Sequence, residues 1–221
     1  MSKLKKENEI WGQWITIGNY RNYPELVNML ADFVGDNILG FVYIDHEAGT
    51  TLEIVKLFNN VDGKILFTDC PYDKEIRVII RHAQFSQTLY QVIQDNFLGD
   101  YELVKPLYIK SYDRDDLTEF RKDVTLDPFR AEGFPDDIKI LLFSKDSDTT
   151  PELVWGRIIK YNHLNKTGLS QLMVQPNQDF GINKNEGLAF AMTEVEDEVW
   201  IIGIIIDRKV KIESKPWWKI W

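Results

Sequence analysis

Apolar residues in the first half of the chain alternate between helical and strand spacing. The first helical stretch begins near Pro24 and ends at Gly35, and its apolar residues share one stripe: Leu26, Val27, Leu30, Ala31 and Val34. Residues 38–45 are rich in branched and aromatic side chains, which predicts a buried strand. Thr50 and Glu53 have the spacing of a capping box, which predicts a short helix from Thr50 to about Asn59.

The remainder of the first half continues this alternation. A short strand is predicted at 65–67, and residues 75–82 show the clearest strand pattern, because alternate positions there are apolar. Ser86 precedes a second predicted amphipathic helix, whose apolar side consists of Leu89, Val92, Ile93 and Phe97. A strand over 101–110 contains Pro106 and is therefore expected at a sheet edge.

The second half of the chain changes to strands after a short helix that begins near Asp113. Turn-forming residues separate five segments of strand character: 138–144, 153–161, 169–175, 187–193 and 199–207. Strands at this spacing predict a small antiparallel sheet or a partly open barrel. Residues 199–206 are apolar on both faces, so that strand is expected to be central and covered on each side.

These patterns predict the α+β fold class and two domains. Residues 1–112 form an α/β-sandwich-like N-terminal half. Residues 113–221 form a mostly antiparallel β C-terminal half with a short leading helix and a tryptophan-rich tail.

Composition and charge narrow the classes of function. The chain of 221 residues is 44% hydrophobic and 13% aromatic, which excludes a disordered protein. Its net charge is −9 and both halves are net negative, so we predict no nucleic-acid binding. The polar start lacks the apolar core of a signal peptide, and no apolar run approaches the roughly 20 residues of a membrane span. The sequence therefore predicts an acidic cytoplasmic protein without membrane association.

Residues with catalytic or metal-binding chemistry are few and dispersed. With one cysteine and three histidines, we predict no bound metal, and the absence of a glycine-rich phosphate loop favours no cofactor. His46 lies between two carboxylates, but on a strand these would point away from the imidazole. Cys70 follows Asp69, and His82 could approach it only through the fold. No nucleophile–base set stands out, so no catalytic residue is assigned.

Tryptophans near both ends of the chain form the candidate interaction surface. They are Trp11, Trp14, Trp217, Trp218 and Trp221. Large aromatic side chains suit protein interfaces, and they also anchor chain ends by burial. We expect the C-terminal tryptophans to pack near Trp11 and Trp14 or across a dimer interface, because soluble proteins rarely expose such a patch.

Residues 133–200 contain a recognisable pattern formed by Trp155 and Arg157, by the segment from Pro176 to Gly181, and by the second glycine, Gly187. This pattern resembles the C-terminal part of an uncharacterised bacterial family of cytoplasmic proteins. It implies a bacterial, β-rich domain, and the family has no established activity to transfer. The residues themselves indicate structural roles: Trp155 in the core, Gln178 and Asp179 as loop caps, and glycines at turns.

Two hypotheses of function remain. The favoured one is a non-enzymatic protein-binding or regulatory factor that meets a protein partner or a second copy through its acidic surface. The alternative is a small hydrolase or transferase that uses Cys70 with His82, or His46 with its neighbouring carboxylates. The absence of a clear catalytic set favours the first.

Overall fold

The computed structural model describes residues 7–69, 71, 77–93, 101–143, 149–195 and 197–205. It combines helices and strands, which confirms the mixed α+β class. The chain divides into two compact units, Met1–Asp113 and Arg114–Trp221. This division lies one residue beyond the boundary expected from the sequence.

The first unit is built on an antiparallel sheet. In chain order its elements are β1 (Trp14–Ile17), α1 (Pro24–Met29), β2 (Asn37–Asp45), β3 (Gly49–Val61), β4 (Lys64–Phe67), β5 (Ile79–Arg81), α2 (His82–Phe85) and β6 (Tyr90–Val92). The strands are ordered β4-β3-β2-β1-β6, and β5 also pairs with β3. Short 3₁₀ helices form at Glu7–Glu9, Tyr20–Asn22 and Leu107–Tyr112.

Both faces of this sheet are covered. One face carries the main buried cluster, which α1 and α2 complete: Ile10, Ile15, Ile17, Tyr20, Leu26, Leu30, Ile38, Val42, Leu52, Ile54, Leu57, Val78, Ile80 and Phe85. On the other face, Phe41 and Tyr43 are buried together with Ile109 from the 3₁₀ helix Leu107–Tyr112. The sheet is therefore enclosed by short helices, with a smaller and more polar second core.

The helix predicted from Thr50 to about Asn59 is wrong. These residues belong to β3, which pairs with β2 from Gly49 to Phe58 and continues to Val61. Leu52 and Ile54 point into the main core, whereas Thr51 and Glu53 point to the opposite face, as the alternation of a strand requires. Pairing across the sheet outweighs the local capping-box spacing.

One further helix prediction and one strand prediction in this unit are also wrong. The helix expected after Ser86 is replaced by β6, which pairs with β1, and residues 94–100 of that prediction lie outside the described residues. The strand expected over 101–110 is replaced by irregular chain and the 3₁₀ helix Leu107–Tyr112. The first predicted helix is shorter than expected, because α1 ends at Met29.

The second unit contains a closed five-stranded barrel. Short helices at Asp115–Leu117, α3 (Thr118–Lys122) and Val124–Phe129 precede β7 (Arg130–Ala131), β8 (Phe134–Leu142), β9 (Glu152–Asn162), β10 (Thr167–Leu172), β11 (Gly187–Val195) and β12 (Glu198–Ile204). Neighbouring strands β8 to β12 are antiparallel, and a parallel pairing of Ile202 with Leu141 joins β12 to β8. The five predicted strands are confirmed to within a few residues, and the barrel is closed rather than partly open.

The barrel interior is filled by alternate residues of each strand and closed by the preceding helices. Its buried residues are Leu117, Phe120, Leu126, Ile138, Ile140, Leu142, Val154, Ile158, Leu172, Phe180, Ile182, Leu188, Phe190 and Ile201. A β-carbon on Gly156 would lie 2.5 Å from Ile140 Cδ1 and 2.8 Å from Ser170 Oγ. The narrow interior thus requires glycine at this position.

Two carboxylates hold the short helices of residues 115–129 against the barrel. Arg121 in α3 donates two hydrogen bonds to Asp136 at the start of β8, at 2.9 and 2.7 Å. Asp123 accepts from Lys166 and from the hydroxyl of Tyr161. Burial raises the pKa of Asp123, but these hydrogen bonds and those from Thr125 outweigh it and hold the pKa well below its usual range.

Candidate functional site

The most perturbed carboxyl group described in the first unit is that of Glu53. It lies on the second face of the sheet, fully buried beneath the 3₁₀ helix Leu107–Tyr112. The hydroxyl of Tyr108 donates to Oε2 of Glu53, and the guanidinium of Arg77 lies 3.7 Å from the centre of the Tyr108 ring. Among the described residues, Oε1 of Glu53 has no hydrogen-bond partner.

Burial dominates the electrostatics of this cluster. It raises the pKa of Glu53 above its ordinary value, although the hydrogen bond from Tyr108 and the positive charge of Arg77 each lower it. Burial also raises the pKa of the Tyr108 hydroxyl, and the hydrogen bond to Glu53 adds to this. Buried groups with shifted pKa values are frequent in active sites, so this cluster is a candidate catalytic centre.

The enclosure of Glu53 argues against catalysis. A general acid or base must come within hydrogen-bonding distance of the reacting group of a substrate. Glu53 has no exposed surface and Tyr43 beside it is only 5% exposed. A substrate would therefore have to displace the segment 107–112 before it could reach the carboxyl group. The arrangement fits a buried polar contact that holds this segment on the sheet.

The two described tryptophans of the predicted interaction surface pack against different clusters. Trp11 packs against the main core, and its indole nitrogen donates to Thr50 Oγ1 at 3.2 Å. Trp14 packs on the other cluster, with its ring 5.3 Å from that of Phe41 in an edge-to-face contact. Trp217, Trp218 and Trp221 lie outside the described residues. The structure therefore shows anchoring roles for Trp11 and Trp14.

His46 and its neighbours lie in the turn between β2 and β3. Asp45 Oδ1 accepts from the backbone nitrogens of Glu47 and Ala48, at 3.0 and 3.1 Å. Its Oδ2 accepts from Arg81 at 3.1 Å. The Asp45 carboxylate thus stabilises the turn and pairs with β5. In the part of the chain that the structure describes, no group of three His, Cys, Asp or Glu side chains could hold a metal ion.

The second catalytic candidate is only partly described. Cys70 lies outside the described residues. Asp69 Oδ2 accepts from the backbone nitrogen of Val34 at 2.6 Å, and His82 Nε2 lies 3.8 Å from Glu7 Oε2. Asp69 and His82 therefore have separate partners, and both of these contacts link segments distant in sequence.

The residues behind the resemblance have structural roles. Arg157 donates two hydrogen bonds to Asp137 at 2.7 and 2.9 Å. Gln178 binds both the nitrogen and the oxygen of Thr150, and Asp179 accepts from the nitrogen of Gly181, so both cap loops as expected. The core position predicted for Trp155 is wrong: Trp155 points outward from β9 and is half-buried, while the adjacent Val154 lies inside the barrel.

Trp155 belongs to an apolar surface of the barrel that was not predicted from the sequence. Apolar side chains point outward from three neighbouring strands and from Phe143, which directly follows β8, and we call this surface the outer apolar face: Leu141, Phe143, Leu153, Trp155, Ile202 and Ile204. Leu141 lies opposite Leu153 on one side and Ile202 on the other, so these three form a continuous row. Trp155 lies opposite Lys139, whose ammonium group is 5.4 Å from the centre of the Trp155 ring. Leu153 is 55% exposed, Ile204 46% and Phe143 44%.

The expectation that the last predicted strand is covered on both sides is therefore wrong for the described residues. Ile201 points into the barrel, but Ile202 and Ile204 point outward to the outer apolar face. The signal was present in the sequence, since residues 140–143 and 199–206 are apolar at successive positions. The closed barrel buries one side of each strand, while Ile204 is 46% exposed on the other side. Contiguous exposed apolar surface of this kind marks interaction sites.

Comparisons with known proteins add no assignment. The chain matches no protein-family model, and neither the curated proteins nor the solved structures contain a detectable relative. The resemblance of residues 133–200 to a bacterial family therefore stays a prediction. No helix among the described residues is long and apolar enough to cross a membrane.

Proposed function

We propose that this protein is a non-enzymatic, cytoplasmic protein-binding or regulatory factor that binds its partner through the outer apolar face. The proposal is supported by the continuous row of outward apolar side chains Leu153, Leu141 and Ile202 across β9, β8 and β12. Burial of apolar surface is the dominant favourable contribution to most protein–protein association. The alternative hydrolase or transferase has less support, because Asp45, Asp69 and Glu53 are engaged in structural contacts.

The net charge defines the chemistry of the partner. At −9, the chain attracts positively charged proteins and repels acidic ones over a distance of about 8–10 Å at physiological salt. Charge of this kind accelerates association, while apolar contact supplies affinity. The partner is therefore expected to be a basic protein that presents an apolar surface.

Leu153→Glu is expected to weaken binding of this partner at least tenfold. The substitution places a charge at the most exposed residue of the face, where association would bury it without a counter-charge. A tenfold loss of affinity corresponds to about 1.4 kcal/mol. The partner is first captured with the full-length chain, then purified and titrated against wild-type and variant protein by calorimetry.

Leu164→Glu provides the matched control. Leu164 is also an exposed leucine of the second unit, but it lies in the turn between β9 and β10, away from the outer apolar face. Both variants add the same charge, so their difference reports the position alone. Equal affinities for the wild-type chain and both variants would rule out the outer apolar face as the binding surface.

A further inference from the structure

The outer apolar face is followed directly by a segment with the chemistry expected of its partner. β12 ends at Ile204, which is itself part of the face, and residues 206–221 come next in the chain. This segment lies outside the described residues. Its apolar residues are Ile206, Val210, Ile212, Trp217, Trp218, Ile220 and Trp221. It therefore offers large aromatic side chains beside a surface whose residues Leu153, Ile204 and Phe143 are exposed.

The charge of this segment is opposite to that of the whole chain. Residues 206–221 contain five Lys or Arg residues and two acidic residues, whereas the complete chain carries a net charge of −9. The segment is thus both basic and apolar, as the proposed partner must be. Attraction between the segment and the acidic remainder favours docking on the same chain.

The segment is also long enough to cover the face. Sixteen residues in extended conformation span roughly 50 Å, at about 3.3 Å per residue. Three neighbouring strands, by contrast, extend over only about 10 Å at a spacing near 4.8 Å. Every side chain of the face is therefore within reach of residues 217–221.

We propose that residues 206–221 dock on the outer apolar face of their own chain and compete there with the protein partner. The inference rests on the proposed function, because it assigns both ligands to one surface. Docking on the outer apolar face would take the place of the docking near Trp11 and Trp14 that the sequence predicts. Those tryptophans pack against separate clusters of the first unit and do not form one docking surface with each other.

Paramagnetic relaxation in the full-length chain tests the docking. A nitroxide is attached at Lys219→Cys in a Cys70→Ser background, and the methyl resonances of leucine and isoleucine are recorded with the label oxidised and reduced. We expect Leu141, Leu153, Ile202 and Ile204 to lose more than half of their intensity, and Leu164 to keep most of it. The Cys70→Ser spectrum without the label verifies that the fold is unchanged.

Two results of this experiment would overturn the inference. The first is the absence of selective broadening on the face, whether broadening is missing everywhere or is centred on residues near Trp11 and Trp14. The second is broadening that arises only between copies. It would be seen when nitroxide-bearing chains at natural isotope abundance are mixed with isotope-enriched chains that carry no nitroxide. That pattern would place the segment on a second copy instead.

A second variant separates this inference from the proposed function. Replacing Trp217, Trp218 and Trp221 with serine should free the face and raise the affinity for the partner about tenfold, if the segment occupies it 90% of the time. Docking in the wild-type chain, together with partner binding that is insensitive to Leu153→Glu when this change is made in the serine variant, would refute the proposed function and leave the docking intact. Partner binding that depends on Leu153 but is unaffected by the serine variant would refute the competition.

Discussion

Arg121→Ala is expected to lower the free energy of unfolding of the barrel unit by about 3–5 kcal/mol. Arg121 makes two short hydrogen bonds to Asp136, which is only 2% exposed. A buried carboxylate that loses its bidentate cation loses two charge-assisted hydrogen bonds that offset much of the cost of its removal from water. The loss should appear as a lower midpoint in urea denaturation, followed by far-ultraviolet circular dichroism.

Arg114→Ala is the control, since it removes a bidentate contact with an exposed carboxylate, together with one longer hydrogen bond to the backbone oxygen of Ile159. Arg114 also donates two hydrogen bonds to one carboxylate, at 2.8 Å each, but that carboxylate belongs to Asp116, whose side chain is 56% exposed. An exposed pair contributes less than about 1 kcal/mol. Similar losses for the two variants would show that burial of Asp136 does not determine the strength of its contact with Arg121.

The barrel strands were predictable because their pattern is local. Turn-forming residues separate segments of strand character, and each segment appears in the structure within a few residues of its expected bounds. Closure of the barrel was not predictable in the same way. It depends on the pairing of Ile202 with Leu141, which lie far apart in the chain, and no local pattern specifies that contact.

The first unit shows the opposite case, in which local spacing is misleading. Thr50 and Glu53 satisfy the capping-box pattern, yet the same stretch is rich in β-branched residues, and its long antiparallel pairing with β2 determines the outcome. The predicted helix after Ser86 fails for a similar reason, because Tyr90–Val92 pairs with β1. In both cases a neighbouring strand of the sheet supplies the hydrogen bonds that a helix would have made internally.

Neither candidate site could be derived from the sequence alone. The outer apolar face exists because two apolar strands became neighbours in a barrel that covers only one of their faces. The environment of Glu53 depends on Tyr108, which is brought over it by a segment about fifty residues later. Sequence spacing identified Glu53 as a helix cap, whereas its burial is decided entirely by tertiary contacts.

The wild-type chain is expected to lose stability as the pH rises, because the buried Glu53 ionises, and Glu53→Gln should abolish this loss. Burial raises the pKa of Glu53 in the folded state above its ordinary value of 4.5. The folded chain therefore binds this proton more tightly than the unfolded chain does, so the contribution is complete below pH 4.5 and declines as the pH rises through the folded-state pKa. Glutamine cannot ionise, and its amide oxygen can still accept from Tyr108.

The measurement is the thermal midpoint of both proteins between pH 4 and pH 8, with Glu25→Gln as the control. Glu25 is exposed on α1, so this variant removes the same negative charge without changing a buried group. Relative to wild type, Glu53→Gln should gain stability as the pH rises from 4.5 through the folded-state pKa of Glu53 and level off above it, and this gain should exceed any change seen for Glu25→Gln. A stability difference that instead falls as the pH rises would mean that Arg77 stabilises the ionised carboxylate more than burial destabilises it. The pKa of Glu53 would then be lowered, and Glu53 would be ionised beside Tyr43 and Tyr108 in the folded protein.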